Sequence, residues 1–261
     1  MRKTVTAIVV VYNIHCADSP TCQALETMPN IPVVLYDNST TDMNNRTYCE
    51  SRNWCYLGGN GNVGLSKAYN AAIDHIKTHA PTDRICLFDD DTHLDAGYFE
   101  ALDTAGDGQI LVPLIFSAGQ LISPCRIDTN HRVRTFPDTQ TALNYDGHDL
   151  SAINSCMAID LSVFDDYRYD ENIFLDGIDH HFMLDMHKRG VTATVFDYRC
   201  DHAFSGSERP SKRAALIRFG IYAKDYAYIL RKKKTAYFRL INKRALHLCI
   251  QYKTLAFFFA K

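Results

Sequence analysis

Short apolar runs set between turn residues, with one long 3.6-residue repeat among them, lay out this chain. Residues 4–12 are nearly all apolar or β-branched, the pattern of a strand covered on both faces. Residues 32–36, 54–57, 84–88 and 109–115 read as further strands. Between them, residues 20–27 form a short helical segment begun by Ser19. Residues 65–79 set Leu65, Ala68, Tyr69, Ala72, Ile73 and Ile76 on one helical face. From residue 116 to 150 the composition turns polar, with Pro124, Pro137 and Gly147, so irregular structure with a small hairpin near residues 132–136 is expected. Residues 156–159 and 192–196 read as strands, residues 177–188 as a helix, and the chain after Gly206 as helical. Strands alternating with helices predict an α/β sheet with crossover helices. With no internal repeat or low-complexity linker, the simplest division is a domain over residues 1–206 and a helical extension over 207–261.

Composition adds an asymmetry. The 261 residues are 46% hydrophobic and 22% charged, which suits a globular protein and excludes disordered and collagen-like classes. The net charge of −2 conceals a basic tail: residues 209–261 hold 14 Lys and Arg against the single acid Asp225. Residues 231–234 are all basic, and Arg239, Lys243, Arg244 and Lys253 interrupt the apolar positions that follow. That is the pattern of a basic amphipathic helix for the interface of an anionic membrane. Phe257, Phe258 and Phe259 fit such a surface better than base stacking, so no nucleic-acid partner is expected. No apolar run approaches the roughly 20 residues of a membrane-spanning helix. The basic residues Arg2 and Lys3 lead into a run too short for a signal peptide, which is read as the first strand. Nine cysteines without CxxC spacing read as reduced thiols of a cytoplasmic protein.

Chemistry concentrates where the strands end. Residues 85–88 run directly into Asp89, Asp90 and Asp91, and adjacent carboxylates repel unless a cation neutralises them. Alternation along an extended segment groups Asp89 with Asp91 and turns Asp90 aside, a geometry for Mg²⁺ or Mn²⁺ carrying phosphate oxygens. Asn13, Asp37 and the segment from Asp176 to His181 also follow strands, and in an open α/β sheet that edge binds ligands. The run Gly59, Asn60, Gly61, Asn62, Val63, Gly64 matches GxGxxG, but after the third strand instead of the first, and it is not a Walker loop. Asp179, entering a helix, is a candidate general base. His180 and His181 point about 100° apart on that helix, so one at most faces a site. His75 and His79 are expected on a solvated face. His202, past a strand end, would complete a metal shell or bind a diphosphate.

Seven segments in order then resemble one family, the inverting family 2 glycosyltransferases of the GT-A fold, and within it the rhamnosyltransferase-like group of bacterial surface-polysaccharide synthesis. They are residues 9–13 (VVVYN), 36–39 (YDNS), 62–70 (NVGLSKAYN), 87–92 (LFDDDT), 154–157 (NSCM), 174–179 (FLDGID) and Asp201 with His202. The resemblance implies a mostly parallel central sheet flanked by helices. It implies a donor pocket that includes Tyr12, Asn13, Asp37, Asn62, Gly64, Lys67, Asn70, Asp89 and Asp90. Asp89 and Asp91, with His202, would hold Mg²⁺ or Mn²⁺, and Asp179 would be the catalytic base. Many members carry Glu before the base and Arg after it, whereas Ile178 and Asp185 stand here, which leaves Asp176 as a rival base. The expected reaction moves a sugar, rhamnose from dTDP-rhamnose as first choice, to a polyprenyl-diphosphate-linked glycan for O-antigen or capsule, on the inner face of the bacterial cytoplasmic membrane. A UDP-galactofuranose or other UDP-hexose transferase is the alternative. A nucleotidyltransferase and an NAD-dependent oxidoreductase are the competing classes.

Overall fold

The structure is a computed structural model that describes residues 3–201 and 210–260. In chain order the elements are β1 (Val5–Val11), α1 (Pro20–Glu26), β2 (Val33–Asp37), α2 (Asn45–Glu50), β3 (Cys55–Gly58), α3 (Leu65–His79), β4 (Arg84–Asp89), α4 (Ala96–Thr104), β5 (Ile110–Ser117), β6 (Gln120–Ser123), β7 (Cys125–Ile127), β8 (Val133–Thr135), α5 (Thr139–Leu143), β9 (Leu150–Ser151), β10 (Met157–Asp160), α6 (Ile178–Lys188), β11 (Ala193–Asp201), α7 (Lys212–Ile229) and α8 (Lys234–Tyr252). The main sheet runs β11-β5-β10-β4-β1-β2-β3, with β6 paired to β5. β1 pairs in parallel with β2 and β4, and β2 with β3. β10 is antiparallel to both of its neighbours. The mostly parallel sheet with flanking helices expected from the resemblance is the architecture observed.

Alternation along the central strands divides the core. Ile8, Val34, Ile85 and Leu87 face one side, where they meet Tyr69, Ile73 and Ile76 of α3 and Phe182 and Met183 of α6. Ala7, Val9, Leu35, Cys86 and Phe88 face the other, against Cys22 and Leu25 of α1 and Tyr98 and Leu102 of α4. A strand buried on both faces cannot tolerate polar side chains, which is why β1 and β2 read as continuous apolar runs. On α3 the apolar positions predicted from the sequence are buried except Leu65, which is half-buried, and the polar Ser66 and Asn70 are buried with them.

Residues 116–150 are more ordered than expected. The hairpin anticipated at 132–136 is instead one arm of a second, three-stranded sheet, β8-β7-β9, in which Val133–Thr135 pairs with Cys125–Ile127. All nine thiols are free, eight of them buried and Cys55 half-buried.

The C-terminal segment is two helices, not one amphipathic run. α7 and α8 bury Phe219, Ala223, Tyr226, Ile241, Ala245, Leu248 and Phe257 against each other and the turn that follows. Among the described residues no helix is long and apolar enough to cross a membrane.

Candidate functional site

The C-terminal ends of β1, β2, β3 and β4 lie side by side, because Val11 is in register with Asp37, Asp37 with Gly58, and Val10 with Asp89. This is the ligand edge of an open α/β sheet.

At its centre is the acidic turn. Alternation from Ile85 and Leu87 puts Asp89, the last residue of β4, on the α3 face, and Asp90 opens the turn that follows. Asp90 Oδ2 accepts the Tyr12 N–H at 3.3 Å. Burial pushes the Asp90 carboxyl up to about 6, with repulsion from Asp91 and Asp89 adding to the effect. α1 pins the backbone of the turn: Ser19 Oγ donates to the Asp90 carbonyl and Thr21 Oγ1 to the Asp89 carbonyl, each at 2.5 Å, and the Thr92 N–H donates to Thr21 Oγ1 at 2.9 Å. Asp89 and Asp179 converge on α3. After burial, the charges of both are among the causes that raise the Tyr69 phenol well above its ordinary value. The Tyr69 hydroxyl and Asn154 Oδ1 are buried polar atoms with no hydrogen-bond partner among the described residues.

Beside the turn lies a cleft of about 450 Å³ lined by Asp37, Ser39, Arg46, Tyr56 and Gly61, among others. Asp37 is 5% exposed. Its Oδ1 accepts the Ser39 N–H at 3.0 Å, and its Oδ2 accepts Asn45 Nδ2 at 3.0 Å and the Tyr56 hydroxyl at 3.3 Å. The Arg46 guanidinium lies 4.5 Å from the Tyr56 ring centroid. Tyr12 stands half exposed at the rim. Asn13 is a strut: its Oδ1 accepts the Thr40 N–H at 2.9 Å and its own N–H donates to Ser39 Oγ at 2.8 Å.

The glycine loop closes the cleft at the sheet edge. A Cβ at Gly58 would lie 2.3 Å from the Asp37 carbonyl oxygen, and one at Gly64 would lie 2.7 Å from the Phe174 ring, so only glycine fits either position. Asn62 Oδ1 accepts the Gly64 N–H at 3.1 Å, and Asn38 Oδ1 accepts the Val63 N–H at 2.8 Å. Lys67 is exposed on the first turn of α3. Asn70 is buried and spends its amide on the chain: Nδ2 donates to the Tyr169 carbonyl and Oδ1 accepts the Tyr169 N–H, both at 3.0 Å. The structure gives it the task of holding residues 169–171 beneath the site.

Residues 174–179 bring the two rival bases to this edge. Asp176 is held by both terminal nitrogens of Arg218, one at 2.8 Å from Oδ1 and the other on Oδ2. Burial raises the Asp176 carboxyl more than Arg218 lowers it. Asp179, in the first turn of α6, accepts the His180 N–H at 2.7 Å. Asp225 of α7, 1% exposed, holds the loop itself, accepting the backbone N–H groups of Phe174, Leu175 and Asp176 at 2.9, 2.8 and 2.8 Å. Among the described residues, the side chains of the histidines singled out in the sequence are engaged with other groups. His180 Nδ1 meets Ser151 Oγ at 2.8 Å, His181 stacks toward His131, and His75 stacks on His79 with its Nε2 3.1 Å from Cys55 Sγ. His202 lies outside the described residues.

The chemistry of the donor set suits a hard divalent cation that arrives with a phosphate ligand. Among the described residues no three His, Cys, Asp or Glu form a metal cage, and a Mg²⁺ that carries a substrate phosphate needs only one or two carboxylates. Sequence reasoning missed Ser19, Thr21, Asn45, Arg46, Tyr56, Arg218 and Asp225. A lone acid in a basic tail was the available signal for Asp225. The others have none, because their neighbours in space are remote in sequence.

No family model and no curated protein matches the sequence. Solved structures do match. The fold is similar to that of S. aureus TarS 1-349, with a TM-score of 0.53 and 13% identity over 86% of this chain and 65% of that one. It is also similar to S. aureus TarS, at 0.51 and 12% over 86% and 40%. S. aureus TarS 1-349 in complex with UDP-GlcNAc matches at 0.50 and 12% over 85% and 66%. This chain thus spans just under two thirds of the TarS 1-349 chain and 40% of the longer one. At such identity the likeness establishes the fold and leaves function to be argued from the site.

Proposed function

We propose that this chain is a metal-dependent glycosyltransferase that moves a sugar from a nucleoside diphosphate to a hydroxyl acceptor with inversion. The observation that carries the reading is that a polar cleft at Asp37, the acidic turn at Asp89 and a separate carboxylate at Asp179 lie along one sheet edge. The neighbouring fold solved with UDP-GlcNAc supports a nucleotide-sugar donor.

An ionised carboxylate offers about four acceptor positions. Three on Asp37 are filled by the chain, which leaves one for the imide N–H of uracil or thymine, while Tyr56 and Arg46 wall the cleft. Glycines 59–64 let the backbone approach ribose and diphosphate closely. Mg²⁺ or Mn²⁺ on Asp89 and Asp91, with His202 as a further candidate ligand, would neutralise the diphosphate leaving group. Asp179 takes the proton of the attacking hydroxyl. Asp176 is the weaker candidate, because both of its oxygens hold Arg218. A single displacement inverts the anomeric centre. The donor is a UDP- or dTDP-sugar, with dTDP-rhamnose and UDP-hexoses as the substrates to try, and a polyprenyl-diphosphate-linked glycan is the acceptor class.

The dinucleotide reading fares worse. The first amide of α3, where a Rossmann fold seats pyrophosphate, donates instead to the Phe174 carbonyl at 2.7 Å. The deciding experiment is calorimetric titration with UDP, dTDP and NAD, with and without Mn²⁺, on the protein and on Asp91→Asn. Metal-dependent binding of one nucleoside diphosphate that weakens at least tenfold in the variant is expected. Metal-independent NAD binding alone would overturn the proposal.

A further inference from the structure

The hairpin of α7 and α8 leaves part of its apolar surface outside. Phe238, Leu246 and Ile250 share an i, i+4 row of α8 with Asn242, yet they are 54%, 52% and 71% exposed. Leu255 and Phe259 follow at 68% and 85%. Five of the eight exposed large hydrophobic residues of the described chain therefore fall between residues 238 and 259. Arg239 and Lys243, one position on from the row, are exposed beside it.

The charge around this row has one sign. Residues 210–260 hold 12 Lys and Arg, and their single acid, Asp225, is buried and engaged by the backbone of residues 174–176. A second copy of the chain meeting it through the same face would bring the same positive charge to the contact, and like charges oppose docking. Nucleic acid would meet the bases but leave Leu246 and Ile250 in water. An apolar row bordered by cations, with no exposed acid, complements lipid phosphates above an acyl layer.

We propose that the α8 face centred on Leu246 docks this protein on the surface of an anionic phospholipid bilayer. The inference stands independently of the sugar-transfer reading. Its consequence for the site is mechanical: α7, which carries the clamp Asp225, shares one core with α8, so docking of α8 would fix the loop of Asp176 relative to the lipid surface.

The test is flotation of the whole protein with vesicles of phosphatidylcholine alone and of phosphatidylcholine with phosphatidylglycerol, at low and high salt. Binding is expected only with the anionic lipid and weaker at high salt. Arg239→Gln with Lys243→Gln should weaken it about fivefold per base. Leu246→Gln with Ile250→Gln should weaken it roughly tenfold or more. Unchanged thermal unfolding would show that both variants keep the fold. Equal binding to the two vesicle types, or undiminished binding by the Leu246 and Ile250 variant, overturns the proposal. So does a dimer in light scattering that this variant dissolves while the wild type binds no vesicles.

Discussion

Single residues divide the work of the candidate site between chemistry and shape. In the proposed reaction Asp179 takes the proton, whereas Asp176 would first have to break a two-pronged contact with Arg218. Asp179→Asn is expected to lower kcat by about 10²–10⁴-fold with donor binding retained, the range for loss of a general base. Asp176→Asn should instead loosen the fold near α7 and lower kcat less. A larger kcat loss in Asp176→Asn than in Asp179→Asn would exchange the two roles. Gly64 is a matter of shape. At φ 88° and ψ 160°, a conformation essentially confined to glycine, any side chain costs about 1–3 kcal/mol of backbone strain. Its Cβ would also strike Phe174. Gly64→Ala should therefore unfold at a lower temperature and lose donor affinity together.

At the scale of elements, α7 belongs to the site although its sequence reads as part of a tail. Asp225 replaces water for three loop amides, and a hydrogen bond to a charged group contributes roughly 1.5–3 kcal/mol. Asp225→Asn keeps the size but turns an NH₂ toward an N–H donor. It should lower the unfolding midpoint by several degrees and reduce kcat more than it raises KM, because the loop leads into the helix of Asp179, the proposed base. Unchanged kcat at saturating donor would make Asp225 a purely structural clamp. Elements with a strong period were legible beforehand: α3 keeps its expected limits of Leu65 and His79, and β4 runs one residue past its apolar stretch to Asp89. α2 was missed because six residues, NRTYCE, are too few to show a period. α4 was missed, and of the second sheet only β8 lay where a hairpin was expected, because strands of two or three residues carry almost no pattern.

For the molecule as a whole, pH enters through a buried imidazole. His131 is 5% exposed at φ 56°, and its Nδ1 has no partner among the described residues. Burial, reinforced by His180, His181 and Lys233 and opposed by Asp128, depresses its pKa from 6.5 to about 3. Between these values the unfolded chain holds the extra proton. Stability is therefore fully present above about 6.5 and is lost as pH falls toward 3, with a loss of about 2 kcal/mol between pH 7 and 5. His131→Asn accepts the same backbone conformation and cannot titrate, so denaturant midpoints of the variant should fall less over that interval. An unchanged acid slope would place the sensitivity elsewhere.

The sequence by itself determined the class of fold, the strand ends that carry acidic residues and the basic character of the C-terminal segment, because periodicity, an acidic run after a strand and net charge are properties of neighbours along the chain. Tertiary structure decided the rest. It seated Asp90 against Tyr12, pinned the acidic turn with Ser19 and Thr21, and tied the amide of Asn70 to the backbone of Tyr169. It brought Asp225 from about fifty residues away to the loop of Asp176, a separation of 49 in sequence. It also split the apolar positions of the tail between a packed interior at Ile241 and Leu248 and an exposed row at Leu246 and Ile250. A one-dimensional pattern marks which residues are apolar or charged, but which face a helix turns inward depends on the partner it meets in three dimensions.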